Sequence, residues 1–240
     1  KVTITNNTST YNGAGIVFMQ SEPVMLVNTT IANNLLAGDE NGNIGQGDAL
    51  WSMFTNVFVA NTIFHGNTGT GNEIVRMGGD YFNMSHSLTQ TEDTYSDNPI
   101  GNIVGNPLFV DAANNDYSLQ EGSPCIDSGL ADLNGDGIEE VNDYFGPAPD
   151  MGSNEWVLQS VNNVAIYVTA SSITLTWDPH PSPDVQYYTV EYSTDPYFES
   201  DVLFQYGNEN YIVFDENLLE YDTEYFFRIA AFTNVWSLYS

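Results

Sequence analysis

Short apolar runs separated by glycine- and asparagine-rich turns dominate the first hundred residues. The clearest strand-like runs lie at residues 15–19, 24–27, 49–54, 57–59 and 74–77. They are rich in β-branched and aromatic residues, which favour strands, and the Gly and Asn between them favour turns. No segment shows a convincing period of 3.6 residues, which is the signature of an amphipathic helix. The pattern therefore predicts an all-β protein.

Four of these segments resemble one another, at residues 1–7, 28–34, 61–67 and 85–91. Each carries an apolar residue at a corresponding position: Ile4, Ile31, Phe64 and Leu88. The separations between these positions are 27, 33 and 24 residues. Short strands, variable loops and a repeat of this length predict a right-handed parallel β-helix, in which each coil lies about 4.8 Å above the last. One coil cannot bury its apolar face alone, so stacking makes the core continuous.

The first three segments end in asparagine, at Asn7, Asn34 and Asn67. A tight bend in every coil leaves backbone groups unpaired, and stacked side-chain amides can bond to those groups and to each other. Asparagine also tolerates the left-handed conformation that such bends require. We therefore expect a structural role for these three residues in preference to a catalytic one.

Residues 102–156 carry motifs that resemble a known family. They are NPLFVD at 106–111, NDYSLQ at 115–120, GSPCIDSG at 122–129 and PDMGSNE at 149–155. Together they resemble the C-terminal signature of bacterial secreted right-handed parallel β-helix proteins of the choice-of-anchor Q type, from which Asn106, Cys125, Ser153 and Asn154 depart. The resemblance implies a secreted or cell-surface protein linked to polysaccharides or adhesion, and it leaves enzymatic activity open.

The same stretch is predicted to cap the open end of the β-helix, because an exposed sheet edge is a template for aggregation. Four apolar residues are expected to cover the core: Leu108, Phe109, Tyr117 and Leu119. Asp111 and Asp127 are expected to be hydrogen-bonding turn residues and not catalysts. The single Cys125 excludes an internal disulfide, and we expect it to be a buried small hydrophobic residue.

A candidate calcium loop follows within residues 132–143, with the spacing D-x-N-x-D-G-x-x-x-x-x-D. Calcium loops of the EF-hand and dockerin kind place oxygen ligands at positions 1, 3, 5, 7, 9 and 12, with Gly at position 6. Those positions are Asp132, Asn134, Asp136, the carbonyl of Ile138, Glu140 and Asp143. No amphipathic helices flank the loop, so the prediction is a structural Ca²⁺ loop and not an EF-hand. The alternative is a hydrophilic turn that binds nothing. The loop at residues 37–48, rich in carboxylates and Gly, leaves three interpretations open: a cation site, a sugar site or an uncommitted solvated loop.

The pattern changes near residue 157, where alternating runs at 164–168, 173–177, 185–192, 202–206, 210–214 and 224–232 read as sandwich strands. ITLTW at 173–177, YTVEY at 188–192 and LEYDTEY at 219–225 resemble a fibronectin type III domain. The resemblance implies that Trp177 is the core tryptophan and Tyr225 the tyrosine-corner residue. We therefore divide the chain into a β-helix domain at 1–156 and a type III domain at 157–240.

The seventh strand of the type III sandwich is not evident, because the sequence ends shortly after Trp236. Either the chain continues beyond residue 240, or a neighbouring subunit supplies the strand through an open β-edge. The sequence also has no initiating Met and no signal peptide, so we expect it to be a fragment of a longer protein.

Charge narrows the range of partners. The chain has 32 Asp and Glu residues against three basic ones, Lys1, Arg76 and Arg228, which gives a net charge of −29. This charge repels nucleic acids and anionic membrane surfaces, and it favours cations such as Ca²⁺. Solubility in a salty extracellular setting is an equal explanation. No apolar run approaches the roughly 18 residues of a membrane span, so no membrane insertion is expected.

The hypothesis that these features favour is a non-catalytic extracellular protein, rod-like and Ca²⁺-stabilised, that acts in adhesion or forms filaments. The alternative is the C-terminal portion of a polysaccharide-degrading or carbohydrate-binding β-helix protein whose active site lies in further N-terminal coils. No catalytic residue is assigned, because Asp80, His86 and Asp93 form no recognisable motif. Four aromatic residues offer a carbohydrate surface, although core packing explains most of them: Trp51, Phe54, Phe58 and Phe82.

Overall fold

The computed structural model describes residues 1–69, 72–92, 96–157, 160–180 and 185–232, and within them the protein is all-β, as predicted. A 3₁₀ turn at Ala112–Asn114 is the sole helix among these residues, and no helix there is long and apolar enough to cross a membrane. The chain divides into two compact units, Lys1–Trp156 and Val157–Ser240, called here the first and second units.

The first unit is built from short strands that pair in parallel from one repeat to the next. Its strands are β1 Val2–Thr5, β2 Thr8–Ser9, β3 Ile16–Met19, β4 Val24–Ala32, β5 Leu35–Leu36, β6 Leu50–Met53, β7 Val57–His65, β8 Ile74–Met77, β9 Phe82–Ser85, β10 Leu88–Thr89, β11 Ile103–Val104, β12 Phe109–Asp111 and β13 Asp116–Leu119. Three sheets are parallel: β1-β4-β7-β10-β11 with β9 also on β7, then β2-β5, and β3-β6-β8. The hairpin of β12 and β13 is antiparallel.

The repeated apolar positions form the inner core between these sheets. Ile4 lies opposite Ile31, and Ile31 lies opposite Phe64, as the repeat pattern predicts. Leu88 departs from the pattern, because it lies opposite Ile63 and not opposite Phe64. Successive side chains of a strand point to opposite faces, so this shift of one residue moves Leu88 out of the inner core. It packs instead in a second apolar cluster with Ile63.

Two columns of asparagine side chains cross the repeats, one just beyond the ends of the long strands β4 and β7 and one within those strands. In the first, the amide of Asn7 donates to the side-chain oxygen of Asn34 at 3.0 Å, and the amide of Asn34 donates to that of Asn67 at 2.9 Å. This column is the predicted one. In the second, which sequence reasoning missed, the amide of Asn61 donates to Asn28 at 2.9 Å. Stacked amides therefore hold both bends of the sheet.

The left-handed residues that make these bends are also in columns. The bend after the first sheet's strands uses Asn6, Asn33 and Gly66, with φ of 57°, 55° and 71°. A second set of left-handed residues lies within β4 and β7 and shortly before β10 and β11. They are Asn28, Asn61, His86 and Gly101, with φ of 47°, 49°, 43° and 68°. The left-handed position thus falls one residue before Asn7, Asn34 and Asn67, which corrects the expectation that those residues make the bend themselves. Asparagine and glycine adopt this conformation at the lowest steric cost.

Residues 102–156 do not lie where they were predicted. The backbone of Gly152 donates to the carbonyl of Asn61 at 2.8 Å, and the backbone of Ser153 donates to the hydroxyl of Thr30 at 3.0 Å. The Ser153 hydroxyl also lies 2.8 Å from that of Thr3. The part of the segment that follows β11 therefore contacts three repeats along the outer face of the first sheet, and it is wrong to describe the segment only as a cap on the end of the stack.

This lateral placement has an apolar cause. The second cluster joins Ile63 and Leu88, which face outward from the first sheet, to Leu119, Cys125 and Met151 of the covering segment. Burying that face removes apolar surface from water, which is the dominant favourable term in folding. Position 152 favours glycine, because its φ is 98° and a Cβ there would also lie 2.8 Å from Cδ1 of Ile63.

The second unit is a two-sheet antiparallel sandwich. Its strands are β14 Ala165–Val168, β15 Ser172–Thr176, β16 Tyr187–Ser193, β17 Leu203–Gly207, β18 Tyr211–Asp215 and β19 Phe226–Phe232. One sheet has the order β14-β15-β18 and the other β17-β16-β19. Trp177 is buried and packs edge-on against Tyr188, as expected of a core tryptophan. The prediction about the seventh strand concerns residues 233–240, which lie outside the described part of the chain.

Candidate metal centre and buried carboxylates

The predicted calcium loop folds around the side chain of Asp132. Its carboxylate accepts backbone hydrogen bonds from Gly135 at 2.7 Å, Asp136 at 3.2 Å and Gly137 at 2.8 Å. Gly135 and Gly137 have φ of 77° and 87°, a region open to glycine, so the N-G-D-G sequence allows the chain to curl tightly. These bonds, with that from Gly137 foremost, hold the pKa of Asp132 below its usual value. The carboxylate is therefore charged at neutral pH.

Three carboxylates converge at this loop, those of Asp132, Asp136 and Glu140. One oxygen from each lies within 4.8 Å of the others. Oxygens that share one Ca²⁺ ion lie at most about 5 Å apart, because each bond is about 2.4 Å long. Glu140 is held in place by the backbone of Leu133 at 2.7 Å and by the amide of Asn134 at 2.6 Å. The spacing and the hard oxygen donors fit a calcium ion.

The other predicted ligands are placed differently. The oxygen of Asn134 accepts from the backbone of Asp136 at 2.9 Å, and its amide is the donor to Glu140 described above. Asp143 is not part of the three-carboxylate group: its exposed side chain lies 3.5 Å from the ammonium of Lys1. The side chain of Ile138 points to solvent and its backbone N–H donates to Asp136 at 2.9 Å. The structure thus brings three of the predicted carboxylates together, with Asn134 in contact with Asp136 and Glu140, whereas Asp143 pairs with Lys1.

A second acidic group, which sequence reasoning did not identify, is buried where the covering segment closes. Asp150 accepts from the backbone of Asp127 at 2.8 Å and from the backbone of Trp156, and its own N–H donates to Glu155 at 3.2 Å. Burial raises the pKa of Asp150 to about 7 and also raises the pKa of Glu155. The ammonium of Lys1 lies 3.5 Å from Glu155. The acidic residues of the PDMGSNE motif therefore act as hydrogen-bond acceptors within the fold.

Two further buried groups have displaced pKa values. Glu73 ends the first asparagine column, where it accepts from the amide of Asn67 and the backbone of Gln90, both at 3.3 Å. Burial raises the pKa of Glu73 to about 7. Cys125 is fully buried, and burial raises the pKa of its thiol to about 12. The thiol is therefore protonated at neutral pH, in agreement with the expected packing role.

Of the four aromatic candidates, Phe54 is the one on the surface, with 58% of its area exposed, whereas Trp51 and Phe82 are buried and Phe58 is partly buried. Phe54 has a φ of 51°, and its ring covers Gly78, where a Cβ would lie 2.8 Å from the ring. It borders a groove of about 330 Å³ whose walls are Ser21, Pro23, Phe54, Asn56, Gly79 and Asp80. The side-chain oxygen of Asn56 accepts from the backbone of Asp80 at 2.6 Å, and its amide donates to the carboxylate of Asp80 at 3.5 Å, so the two polar side chains lie together in the groove wall.

Comparison with known proteins identifies the second unit. The model of the fibronectin type III domain family matches residues 159–240, so this part of the chain is a fibronectin type III domain. The hydroxyl of Tyr225 accepts from the backbone of Glu220 at 3.1 Å, the bond expected of a tyrosine corner. No curated protein matches the chain.

Solved structures similar to the chain cover about a third of it. A structure entitled "Myokine structure" is 21% identical over 34% of this chain and 88% of its own, with a TM-score of 0.29. "Titin kinase and its flanking domains" is 25% identical over 35% of this chain, which spans only 16% of that structure, with a TM-score of 0.29. The fibronectin type III domain derived from human KIAA0970 protein is 17% identical over 35% of this chain and 69% of its own, with a TM-score of 0.30.

Proposed function

We propose that residues 1–156 form a right-handed parallel β-helix of the choice-of-anchor Q type, followed by the type III domain. Support comes from the in-register parallel pairing of β1, β4 and β7 and of β3, β6 and β8. The left-handed bends and asparagine columns recur at the same place in successive repeats, as one coil stacked on the next requires. The motifs at residues 106–155 add the family resemblance.

The function we propose is that of a non-catalytic extracellular protein that acts in surface adhesion or forms filaments. One observation carries this proposal: the chain combines parallel strands stacked along columns of hydrogen-bonded asparagine side chains with a fibronectin type III domain. That domain is a module common in surface and adhesion proteins. In the stack, the repeated polar residues are engaged with each other and with backbone groups. The net charge of −29 suits a solvated exterior surface.

Calcium has a structural role in this proposal. Asp132, Asp136 and Glu140 hold the ion, which neutralises three carboxylates that otherwise repel one another. The loop interrupts the covering segment between Asp127 and Asp150, which hydrogen-bond to each other. Ordering the loop therefore stabilises the closure of the first unit, because metal binding to a folded site adds directly to folding free energy.

Neighbouring subunits are the partners that the second unit favours. Ile166 and Val168 lie opposite Leu175 and Ile173 in the β14–β15 pair, so they share the inner face of that sheet. They are nevertheless 55% and 71% exposed, whereas Leu175 is buried. An extended strand from another copy would cover these side chains and pair with a sheet edge, the mode known as β-augmentation.

Surface location is tested by labelling intact producing cells with antibodies raised against the folded chain. The proposal predicts labelling without permeabilisation, and its loss after brief treatment of intact cells with a broad-specificity protease. A trypsin-like protease is unsuitable, because the chain has only three Lys and Arg residues. Labelling that requires permeabilisation and survives the protease would contradict an extracellular location.

A second candidate function, carbohydrate binding, is favoured by the groove beside Phe54. An exposed aromatic face flanked by an amide and a carboxylate offers stacking to a sugar ring and both donor and acceptor to its hydroxyls. Affinity electrophoresis in gels containing neutral polysaccharides tests it. Retardation that disappears in Phe54→Ala and persists in Tyr11→Ala, an exposed aromatic elsewhere, would support this function. Equal mobility in every gel would remove it.

A further inference from the structure

The methionines of the first unit are distributed in an unusual way. The chain has six, of which Met84 and Met151 are fully buried. Met19, Met53 and Met77 are in register on the neighbouring parallel strands β3, β6 and β8, at the last position of each strand. Met19 is 60% exposed and Met77 is 47% exposed, and Met53 between them is partly exposed. Three thioethers therefore form one column on the surface.

The column faces outward because of strand geometry. Ile16, Leu50 and Ile74 begin the same three strands and pack into the inner core. Each methionine follows three positions later, and alternate residues of a strand point to opposite faces, so the methionines lie on the solvent side. An exposed methionine leaves apolar surface in contact with water, which a polar residue would avoid, and the column does so at three positions.

Thioether sulfur has a specific chemistry that separates it from the rest of this acidic surface. Carboxylate and carbonyl oxygens prefer hard cations such as Ca²⁺, whereas thioethers are soft ligands that select Cu(I) and its heavier analogue Ag(I). A thioether is neutral and binds no proton in the usual pH range, so it needs no deprotonation before it binds a metal. We propose that Met19, Met53 and Met77 form a surface site for a soft monovalent cation, Cu(I) or Ag(I).

The spacing of the column fits three sulfurs around one ion. Adjacent strands place the methionine backbones about 4.8 Å apart. With metal–sulfur bonds of about 2.3 Å, three sulfurs in a plane around one ion lie about 4 Å apart. Met53 stands between the other two, and the outer side chains need to lean inward by a few ångströms, which three rotatable bonds allow. The negative charge of the chain raises the local concentration of any cation.

A competing explanation is that the column only packs side by side to support the sheet. Leucine preserves that packing and lacks the sulfur, so Met→Leu substitutions separate the two explanations. Met25 is the matched control, because it is 63% exposed on β4, outside the column. Cys125 is replaced by Ala in every variant, since a thiol also binds soft metals.

The test uses the full chain labelled with ¹³C at the methionine methyl groups, which gives six resonances that single Met→Leu variants assign. Silver nitrate is titrated into chloride-free buffer with excess calcium nitrate, which saturates the carboxylates. We expect the resonances of Met19, Met53 and Met77 to shift together and saturate at one ion per chain, while those of Met84 and Met151 stay in place. Met53→Leu should weaken the affinity at least about tenfold, a loss of about 1.4 kcal/mol, and Met25→Leu should not change it.

Three results would overturn the proposal. The first is the absence of any shift at a several-fold excess of silver. The second is a Met53→Leu variant that binds silver as tightly as the parent while keeping its fold, as judged by the unchanged resonances of Met84 and Met151. The third is an equal response to Zn²⁺, which would show that the site does not select soft cations.

Discussion

The side-chain amide of Asn34 donates a hydrogen bond of 2.9 Å to the side-chain oxygen of Asn67, and both side chains are buried. The same amide donates to the carbonyl of Ile4 at 3.0 Å, while the oxygen of Asn34 accepts from the backbone and the amide of Asn7, both at 3.0 Å. One side chain thus links three consecutive repeats and satisfies backbone groups that the bend leaves unpaired. We call this column of hydrogen-bonded asparagine side chains the ladder, and it stabilises the interior of the first unit.

Replacing Asn34 with Ala should therefore destabilise the first unit strongly. Each buried group left unpaired costs about 1–3 kcal/mol, so we expect the free energy of unfolding to fall by at least about 2 kcal/mol. Urea denaturation followed by circular dichroism measures the change. Asn98→Ala, which removes an exposed amide from the same unit, should change the stability by less than about 0.5 kcal/mol. Equal effects of the two substitutions would contradict the structural role of the ladder.

The buried carboxyl of Asp150 should make stability depend on pH. Its pKa is about 7 in the folded state against a usual value near 4, so between about pH 4 and 7 the folded state holds a proton that the unfolded state has released. The stability that this group contributes is present below about pH 4 and is lost as the pH rises through 7. Asp127 and Glu155 face it and add to the effect by repulsion.

The measurement compares the parent with Asp150→Asn, which cannot titrate. As the pH rises from 5 to 8, the free energy of unfolding of the parent should fall relative to that of the variant by on the order of 2 kcal/mol. A difference that is constant over this range would show that the carboxyl titrates at its usual pKa. Glu73 titrates in the same range and is unchanged in both proteins, so its contribution cancels.

The tyrosine corner of the second unit gives a separate prediction. Tyr225→Phe removes the hydroxyl that accepts from the backbone of Glu220 and keeps the ring, so the second unit should lose about 1 kcal/mol. Tyr197→Phe, which removes a hydroxyl from an exposed ring, should leave the stability unchanged. Thermal unfolding of the two variants beside the parent checks this, and a Tyr225→Phe protein as stable as the parent would contradict the corner bond.

Much of the fold follows from patterns that are local in sequence. The in-register contact of Ile4, Ile31 and Phe64 and the column at Asn7, Asn34 and Asn67 follow from three segments that share an apolar residue and a final asparagine at corresponding positions. The type III strands follow from alternation and from well-spaced aromatic residues. Because the same residue types recur at corresponding positions, the assignment of one segment supports the assignment of the next.

The errors arise where a decision depends on distant residues. The repeat pattern aligns Leu88 with Phe64, and only the pairing across the sheet shows that Leu88 lies opposite Ile63. The segment at residues 102–156 contains little to show which surface it covers, because Leu119, Cys125 and Met151 find their partners far away in sequence. Asn28 and Asn61 begin two of the repeats, and that recurrence was the available signal for the second column.

In the calcium loop, too, some features depend on the local sequence and others on distant contacts. Three of the residues that its spacing selects lie together in the structure: Asp132, Asp136 and Glu140. It does not reveal that Asp143 lies beside Lys1, because that contact joins the two ends of the first unit. The motif determines the short turns between its own residues, whereas the position of its last predicted ligand depends on contacts with residues that are distant in sequence.

The calcium claim is tested most directly by thermal unfolding of the full chain in Ca²⁺ and in chelator, for the parent and for two neighbouring substitutions. Ca²⁺ at about 100 times its Kd adds about 2.7 kcal/mol, which corresponds to about 5–10 °C for a unit of this size. We predict this rise for the parent and for Glu139→Gln, whose side chain lies outside the three-carboxylate group, and its loss in Glu140→Gln. The same Tm for the parent in Ca²⁺ and in chelator would contradict the account.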